Sequence, residues 1–348
     1  QVQQAPFFQH PIGCGPFMVE EVNMKNYTIL APFDKYYNGV ADFKIQLLPS
    51  AGDSDPNVVT RAKSGNLDYG YTKMVADVQA LEGTPGITVT PIDVRYTRLF
   101  YLNKFDKKDG SPAPLADVRV RQALRYAIDM ETICETLFQG SAVPANALAP
   151  DANLKGGDLN DYNYNPEKAK ELLAEANWDP NTVIKAVYYY TDQATVDLMT
   201  AVQAYLADVG IKMEFELVEG DLATILWTAP ADQTNGPRAV DWDICYAANA
   251  ALSLHEYYDR YRTGSPTNSH TPEDAELNRL IDATNASADV NAQNEAFKEL
   301  IKYENENLFT MALYYQPIFL ITSDKIGDIQ KGTPQFCINW GIQNWNVQ

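Results

Sequence analysis

The sequence predicts an α/β protein, and three observations carry that reading. Residues 115–133 hold two helix starts in one line. Residues 183–217 read as strand, helix, strand. From about 115 to 315 helical and strand-like stretches alternate, the pattern of an α/β unit, whereas 1 to about 110 is mostly strands with one clear helix.

Taken in order, Tyr27-Thr-Ile-Leu-Ala31 and Phe43-Lys-Ile-Gln-Leu-Leu48 are strand-like. Asp55 is expected to cap a short helix ending at Lys63, with Pro56 at its first position. Ile87–Thr90 and Arg98–Leu102 follow as strands. Lys104 to Pro114 is polar and holds Gly110 and Pro112, so it reads as a crossover loop. Asp117 caps a helix whose Val120, Ala123, Leu124, Ala127 and Ile128 recur with helical period. Asp129 caps a second one through Ile133 and Leu137, stopped by Gly140. Asn165 caps a third, with Pro166 at its first position and an end near Asn177. Val183–Tyr190 is rich in strand formers. A helix runs through Leu198, Val202, Leu206 and Val209 to Gly210. Ile211–Leu217 alternates with period two, so one face meets a core. These three make a βαβ unit, with a right-handed crossover expected. Trp242–Tyr246 is a third strand. Thr271-Pro272 opens a helix through Leu277, Leu280 and Ile281, and another passes through Phe297, Leu300 and Ile301. The tail from about 316 is strand and loop, ending at Trp340 and Trp345.

Composition narrows the function class. The chain has 348 residues, 45% hydrophobic and 21% charged, which is globular rather than disordered. No run of about 18 apolar residues occurs, so no segment has the length to span a membrane as a helix. No basic region followed by an apolar core opens the chain. The formal charge of -19 argues against a nucleic-acid partner, which needs a positive patch. Four cysteines, Cys14, Cys134, Cys245 and Cys337, lie far apart. Free buried thiols are the favoured reading, with pairing as the alternative.

Several stretches resemble one family. Leu115-Ala-Asp-Val-Arg-Val-Arg-Gln-Ala-Leu-Arg-Tyr-Ala-Ile-Asp-Met-Glu-Thr-Ile133 is similar to the signature opening the third domain of the family 5 solute-binding proteins of ABC importers, the dipeptide, oligopeptide and nickel binders. Gly13-Cys-Gly-Pro-Phe17 resembles that family's Gly-Thr-Gly-Pro-Tyr, with Cys14 replacing Thr. Ser64-Gly-Asn-Leu-Asp68, Tyr101-Leu-Asn103, Tyr164–Ala176 and Gln203–Met213 resemble further family segments, in the same order. The resemblance implies a two-lobe, type II periplasmic-binding-protein-like fold. Lobe one would be 1–115 plus 316–348, and lobe two 116–315. The ligand would sit in the cleft, and closure would hinge near 104–116 and 311–318. In the family a segment of on the order of 150 residues, about one domain, precedes the Gly-Thr-Gly-Pro-Tyr motif. The chain is therefore expected to be a C-terminal portion with lobe one incomplete; a naturally short variant is the alternative.

The residues speak for binding more than for catalysis. No nucleophile elbow, phosphate loop, dinucleotide fingerprint or His-Glu-x-x-His motif is present. Only His10, His255 and His270 occur, without metal-ligand spacing, so neither metal nor cofactor is expected. Asp241 and Asp243 are the carboxylates a hydrolase reading would use. Tyrosine is abundant, at 21 residues, and offers stacking area with a hydroxyl handle. Tyr188–Tyr190 and Tyr314–Tyr315 are expected on alternate faces of strands. Tyr101 and Asn103, at a strand end, are expected to meet an extended ligand through the Asn103 amide and the backbone; Asn103 holding the hinge is the alternative. Tyr71 follows the Ser-Gly-Asn-Leu-Asp turn, where loops line a cleft. Tyr246 is a further candidate contact, and after it the family's peptide binders carry Gly-Trp-x-Ala-Asp, whose Asp takes a free amino group. Here the sequence is Ala247-Ala-Asn-Ala-Ala-Leu-Ser253, with Asn249 and Leu252 near those places and His255 as a substitute contact. An ordinary peptide with a free N-terminus would lose its counter-charge there. Arg238 is a further candidate for an anionic group, or a solvated loop charge. The resemblance implies an extracytoplasmic solute-binding protein, periplasmic or a cell-surface lipoprotein. It would be a monomer that delivers a peptide or similar small solute to an ABC permease. A cleft hydrolase, or a sensing or peptide-chaperone module, is the alternative.

Overall fold

A helix begins where a side chain can accept its first free amide hydrogens, and Asp117, Asp129, Asn165, Asp192, Asp274 and Asp289 all do so here. The computed structural model describes residues 11–348 except 24, 50–54, 151–153, 155–158, 250–252, 269 and 328–340, and except the side chains of 93–96. The chain forms two units, residues 1–94 with 318–348, and residues 95–317. The boundaries fall inside strands. The sequence reading places 95–115 with the first lobe, but Phe100, Leu102 and Leu115 pack into the core of the second unit.

The first unit opens with an antiparallel sheet of β1 (Phe17–Asn23), β2 (Tyr27–Pro32) and β3 (Ile45–Leu47), in the order β1-β2-β3. Then come α1 (Val58–Lys63), β4 (Tyr69–Thr72), α2 (Val75–Leu81) and the start of β5 (Ile87–Leu102). Helix α1 starts later than expected. Its N-cap is Asn57, without a side-chain cap bond, and Asp55 Oδ1 instead accepts from Asn57 N in the preceding turn. The strands expected at 87–90 and 98–102 are one continuous strand. The Ser64–Asp68 turn needs Gly65 at φ +72. Asp68 then ties the turn to Ser323, whose backbone N donates to Asp68 O and whose hydroxyl donates to Asp68 Oδ1.

The second unit contains α3 (Val118–Ala127), α4 (Met130–Thr136), β6 (Val143–Pro144), α5 (Pro166–Glu175), β7 (Val183–Tyr188), α6 (Gln193–Asp208), β8 (Lys212–Leu217), α7 (Leu222–Trp227), β9 (Ile244–Asn249), α8 (Leu254–Asp259), α9 (Ala275–Ala283) and α10 (Val290–Asn307). Strand β10 (Thr310–Ser323) leads back to the first unit, where it pairs with β4 and is followed by β11 (Ile326–Gly327), a 3-10 turn at Ile342–Asn344 and β12 (Asn346–Val347). Within the second unit the strand order is β10-β5-β9-β7-β8, with β9, β7 and β8 parallel and β5 antiparallel to β9. The third strand starts at Ile244 rather than Trp242, and β7 stops at Tyr188 rather than Tyr190. Helix α9 opens at Asp274 rather than Thr271, because Asp274 accepts from both Glu276 N and Leu277 N.

Alternation puts two apolar cores on the two faces of this sheet. Phe100, Leu102, Ala186, Tyr188, Ile244 and Tyr246 join one, with α3–α6. Leu99, Tyr101, Val187, Cys245 and Ala247 join the other, with α7–α10. The arginines of the 115–133 stretch serve this packing. Arg121 donates to the carbonyls of Leu115, Ala116 and Asn307, and Arg125 to that of Ala145. Burial lowers both to about 10. Cys134 and Cys245 are buried free thiols, as expected, but Cys14 is exposed, and Cys337 lies outside the described residues.

Candidate ligand-binding site

Strand β7 ends three residues before its neighbour β9 does. Its register with β9 stops at Tyr188↔Tyr246, so Ala247–Asn249 of β9 run on without a parallel partner. On their other side they pair with Leu99, Arg98 and Thr97 of β5. Ligands of parallel sheets bind outside the carboxyl ends of the strands, where neighbours diverge. Here the gap is filled by side chains. Tyr190 OH accepts from Ala248 N at 3.1 Å, and the Tyr189 and Tyr190 rings lie 4.4 Å apart with their hydroxyls 3.0 Å apart.

The two faces of this edge carry different groups. On one face Arg98, only 6% exposed, places its guanidinium 4.6 Å over the Tyr190 ring and donates to Gln316. Tyr246 and Tyr314 lie beneath, with hydroxyls 2.6 Å apart. Burial pushes Tyr246 up to about 12, partly offset by Arg98. On the other face Arg260, at the C-terminus of α8, donates from Nη1 to Tyr101 OH at 2.6 Å and has Trp227 and Tyr189 for neighbours of Tyr101 and itself.

The six residues singled out from the sequence are therefore not equivalent. Tyr71 belongs to the first unit, on β4 opposite Leu320, and is half exposed. Tyr101 and Tyr246 lie on opposite faces, since Tyr101 pairs with Cys245 and Tyr246 with Phe100. Asn249 ends β9 at the open edge; it is buried, its Nδ2 reaches Tyr257 O only at 3.4 Å, and its Oδ1 has no partner. Asn103 sits at the opposite end of the β5–β9 pair. Its Nδ2 donates to Trp242 O and its Oδ1 accepts from Phe105 N. The backbone there is occupied too, with Asn103 N bonded to Asp243 O and Lys104 N to His270 O. That segment thus has no ladder to offer an extended ligand; its polar groups hold the chain to itself. His255 faces away toward α9, where Nδ1 meets Thr284 Oγ1 at 2.8 Å. Leu252 lies outside the described residues.

Arg238 is not a solvated charge. It is 3% exposed, paired with Asp243 at 2.8 Å, and bonded to the carbonyls of Phe105 and Trp242. Asp243 is thereby consumed, while Asp241 is an exposed partner of Lys185, so the two carboxylates do not face one site. Among the described residues no three His, Cys, Asp or Glu side chains gather as a metal site would require, and no helix is long and apolar enough to cross a membrane. Arg98 and Arg260 were missed from the sequence. A lone arginine inside Thr97-Arg-Leu-Phe-Tyr-Leu102 is the legible signal, because a charge in an apolar strand needs a dedicated environment. Arg260 gives no such signal, since it follows a short polar helix.

The sequence matches the family of bacterial extracellular solute-binding proteins, family 5 (middle part), over residues 2–271. The chain belongs to this family. It is 29% identical over 208 residues to a putative ABC transporter peptide-binding protein of Brucella ovis, covering 58% of this chain and 38% of that protein. It thus spans about two fifths of the length of such curated relatives. Its fold is that of solved family 5 proteins, the type II periplasmic-binding-protein fold. NikZ of Campylobacter jejuni, solved with Ni(L-His), superposes with TM-score 0.78 at 17% identity over 99% of this chain and 70% of that one. The oligopeptide-binding protein AppA of Bacillus subtilis, solved with a nonapeptide, superposes with TM-score 0.76 at 19% identity over 97% of this chain and 67% of that one. Family 5 members are extracytoplasmic binding proteins, and the family is one of binders rather than enzymes.

Proposed function

We propose that this chain is the ligand-holding part of an ABC importer's substrate-binding protein. It captures a peptide or similar small solute at the carboxyl edge of the second unit's sheet and hands it to a membrane permease. The protein works outside the cytoplasm, in a periplasm or as a cell-surface lipoprotein, and as a monomer. The observation that carries the reading is Asn249: a buried amide with an unpartnered Oδ1, at the end of a strand whose parallel neighbour has stopped. A buried acceptor without a donor costs about 1–3 kcal/mol, so the fold keeps it at a loss that a ligand N–H or O–H recovers. Tyr189 and Tyr190 add stacking surface at the same strand edge, and Arg98 with Gln316 adds polar handles on its opposite face.

Native mass spectrometry of the purified protein tests this. A co-purified solute of stoichiometric mass is expected, released on unfolding and retained less by Asn249→Ala. A protein that carries nothing, and that no peptide or small-solute library stabilises against heat, would remove the binding reading.

A further inference from the structure

Arg260 lies at this edge with its guanidinium partly unbonded. It is half-buried at the end of α8. Nη1 donates to Tyr101 OH at 2.6 Å, and the guanidinium carbon lies 5.7 Å from the centre of the Tyr101 ring. Nε is buried and has no acceptor. The ionisable groups that act on it most strongly are the hydroxyls of Tyr101, Tyr261 and Tyr189. None of these is an anion at neutral pH: burial pushes Tyr101 up to about 12, and Tyr189 and Tyr261 are raised further by the same cause. The guanidinium is therefore held by neutral phenols and ring faces. A cation in that setting has surrendered much of its hydration without receiving a counter-charge, an arrangement that favours an incoming anion.

Shape adds to charge. Tyr189 and Trp227, both half-buried, stand beside the fully buried Tyr101, whose ring meets Trp227 edge-on at 5.0 Å. Aromatic walls around a fork-shaped donor suit a planar carboxylate attached to an apolar body. Asn249, whose strand end contacts α8 through Tyr257 O, offers a neutral acceptor rather than a carboxylate. An ammonium would find no counter-charge at Asn249 and repulsion at Arg260.

We propose that Arg260 anchors a carboxylate of the ligand, and that the group received at Asn249 is an uncharged N–H or O–H donor, so that the site selects acids without a free amino group there. This rests on the reading of the carboxyl edge as the ligand site. The class covers N-blocked peptides and non-peptide organic acids alike, since both present the same carboxylate.

Four probes separate the possibilities by calorimetry: N-acetyl-alanyl-phenylalanine, its C-terminal amide, alanyl-phenylalanine with a free amino group, and 3-phenylpropanoate. At least one of the two acids lacking an amino group is expected to bind the parent chain about tenfold or more tightly than the amide, the factor a charge-assisted hydrogen bond supplies. Binding of the acetylated peptide alone assigns the ligand to blocked peptides, and binding of phenylpropanoate assigns it to organic acids. Arg260→Gln should abolish the preference of acid over amide, and Arg260→Lys should keep part of it, with melting temperatures reporting that both variants fold. The Nε–H resonance of Arg260 should shift on addition of the acid and stay still with the amide. Equal binding of acid and amide, tightest binding by the free-amino peptide, binding of none of the acids, or a preference that survives Arg260→Gln would each overturn the proposal. If free-amino peptides bind the parent and Arg260→Gln equally, only the anion assignment fails; if no solute of any class binds, the binding reading fails with it.

Discussion

Asn103 and Asn249 share a side chain and a strand pair, and burial assigns them opposite work. Both amide atoms of Asn103 are bonded to backbone groups, at Trp242 O and Phe105 N. Asn103→Ala strands the buried Phe105 N–H and removes one of the two donors to Trp242 O, Arg238 being the other, and should lower the unfolding free energy by about 1–3 kcal/mol in urea titration. Asn249 Oδ1 has no hydrogen-bond partner among the described residues, so Asn249→Ala should leave stability unchanged or raise it while weakening retention of ligand. Equal destabilisation by the two changes would contradict this division. His270 gives a third residue-scale expectation. It is 0% exposed, Nε2 lies 2.9 Å from Leu226 O, and burial lowers its pKa to about 4 from 6.5. Between those values the unfolded chain binds the extra proton, so stability is full above about pH 6.5 and is lost as pH falls toward 4. The loss amounts to about 3 kcal/mol. Urea midpoints from pH 7 to 4 should show this fall, and His270→Gln should flatten it.

At the scale of elements, caps decide where helices start, and three of them are legible in the sequence. Asp117, Asp129 and Asn165 cap as their positions in the sequence indicate. The Thr271-Pro272 pair reads as a helix opener in the sequence, but the cap is Asp274. What settles it is reach: Asp274 Oδ1 accepts from Glu276 N and Leu277 N, while Oδ2 accepts from Tyr303 OH across on α10. Asp274→Ala should therefore cost about 1–2 kcal/mol, and Thr271→Ala should leave the start of α9 in place. Chemical shifts of residues 271–277 would register the boundary, and an unchanged unfolding free energy for Asp274→Ala would show that the cap is not stabilising.

Across the whole molecule the two units differ in how much apolar surface they bury. The second carries extensive clusters on both faces of its sheet. The cluster of the first among the described residues is smaller, Val58, Ala62, Leu81 and Ile321, and no described residue of β1, β2 or β3 is fully buried. Amide protons of β1–β3 should exchange faster than those of β7–β9, because local opening is cheapest where few apolar contacts are lost. Protection of Thr28–Leu30 equal to that of Ala186–Tyr188 would refute it.

The sequence by itself determined the α/β class, the βαβ unit, the helix starts at Asp117, Asp129 and Asn165 and the family, because periodicity, caps and ordered motifs are local properties of a chain. It also drew attention to Asn249, through what stands there in place of a carboxylate. Tertiary structure alone decided which polar groups are already spent. Arg238 looked like a loop charge and is buried against Asp243; Asn103 looked poised for ligand and bonds to its own backbone; Arg260 looked like nothing and is left with an unbonded Nε among phenols. Whether a donor or acceptor is satisfied depends on residues more than a hundred positions away, as with Arg260 and Tyr101 or Asn103 and Trp242, and no local pattern encodes that pairing.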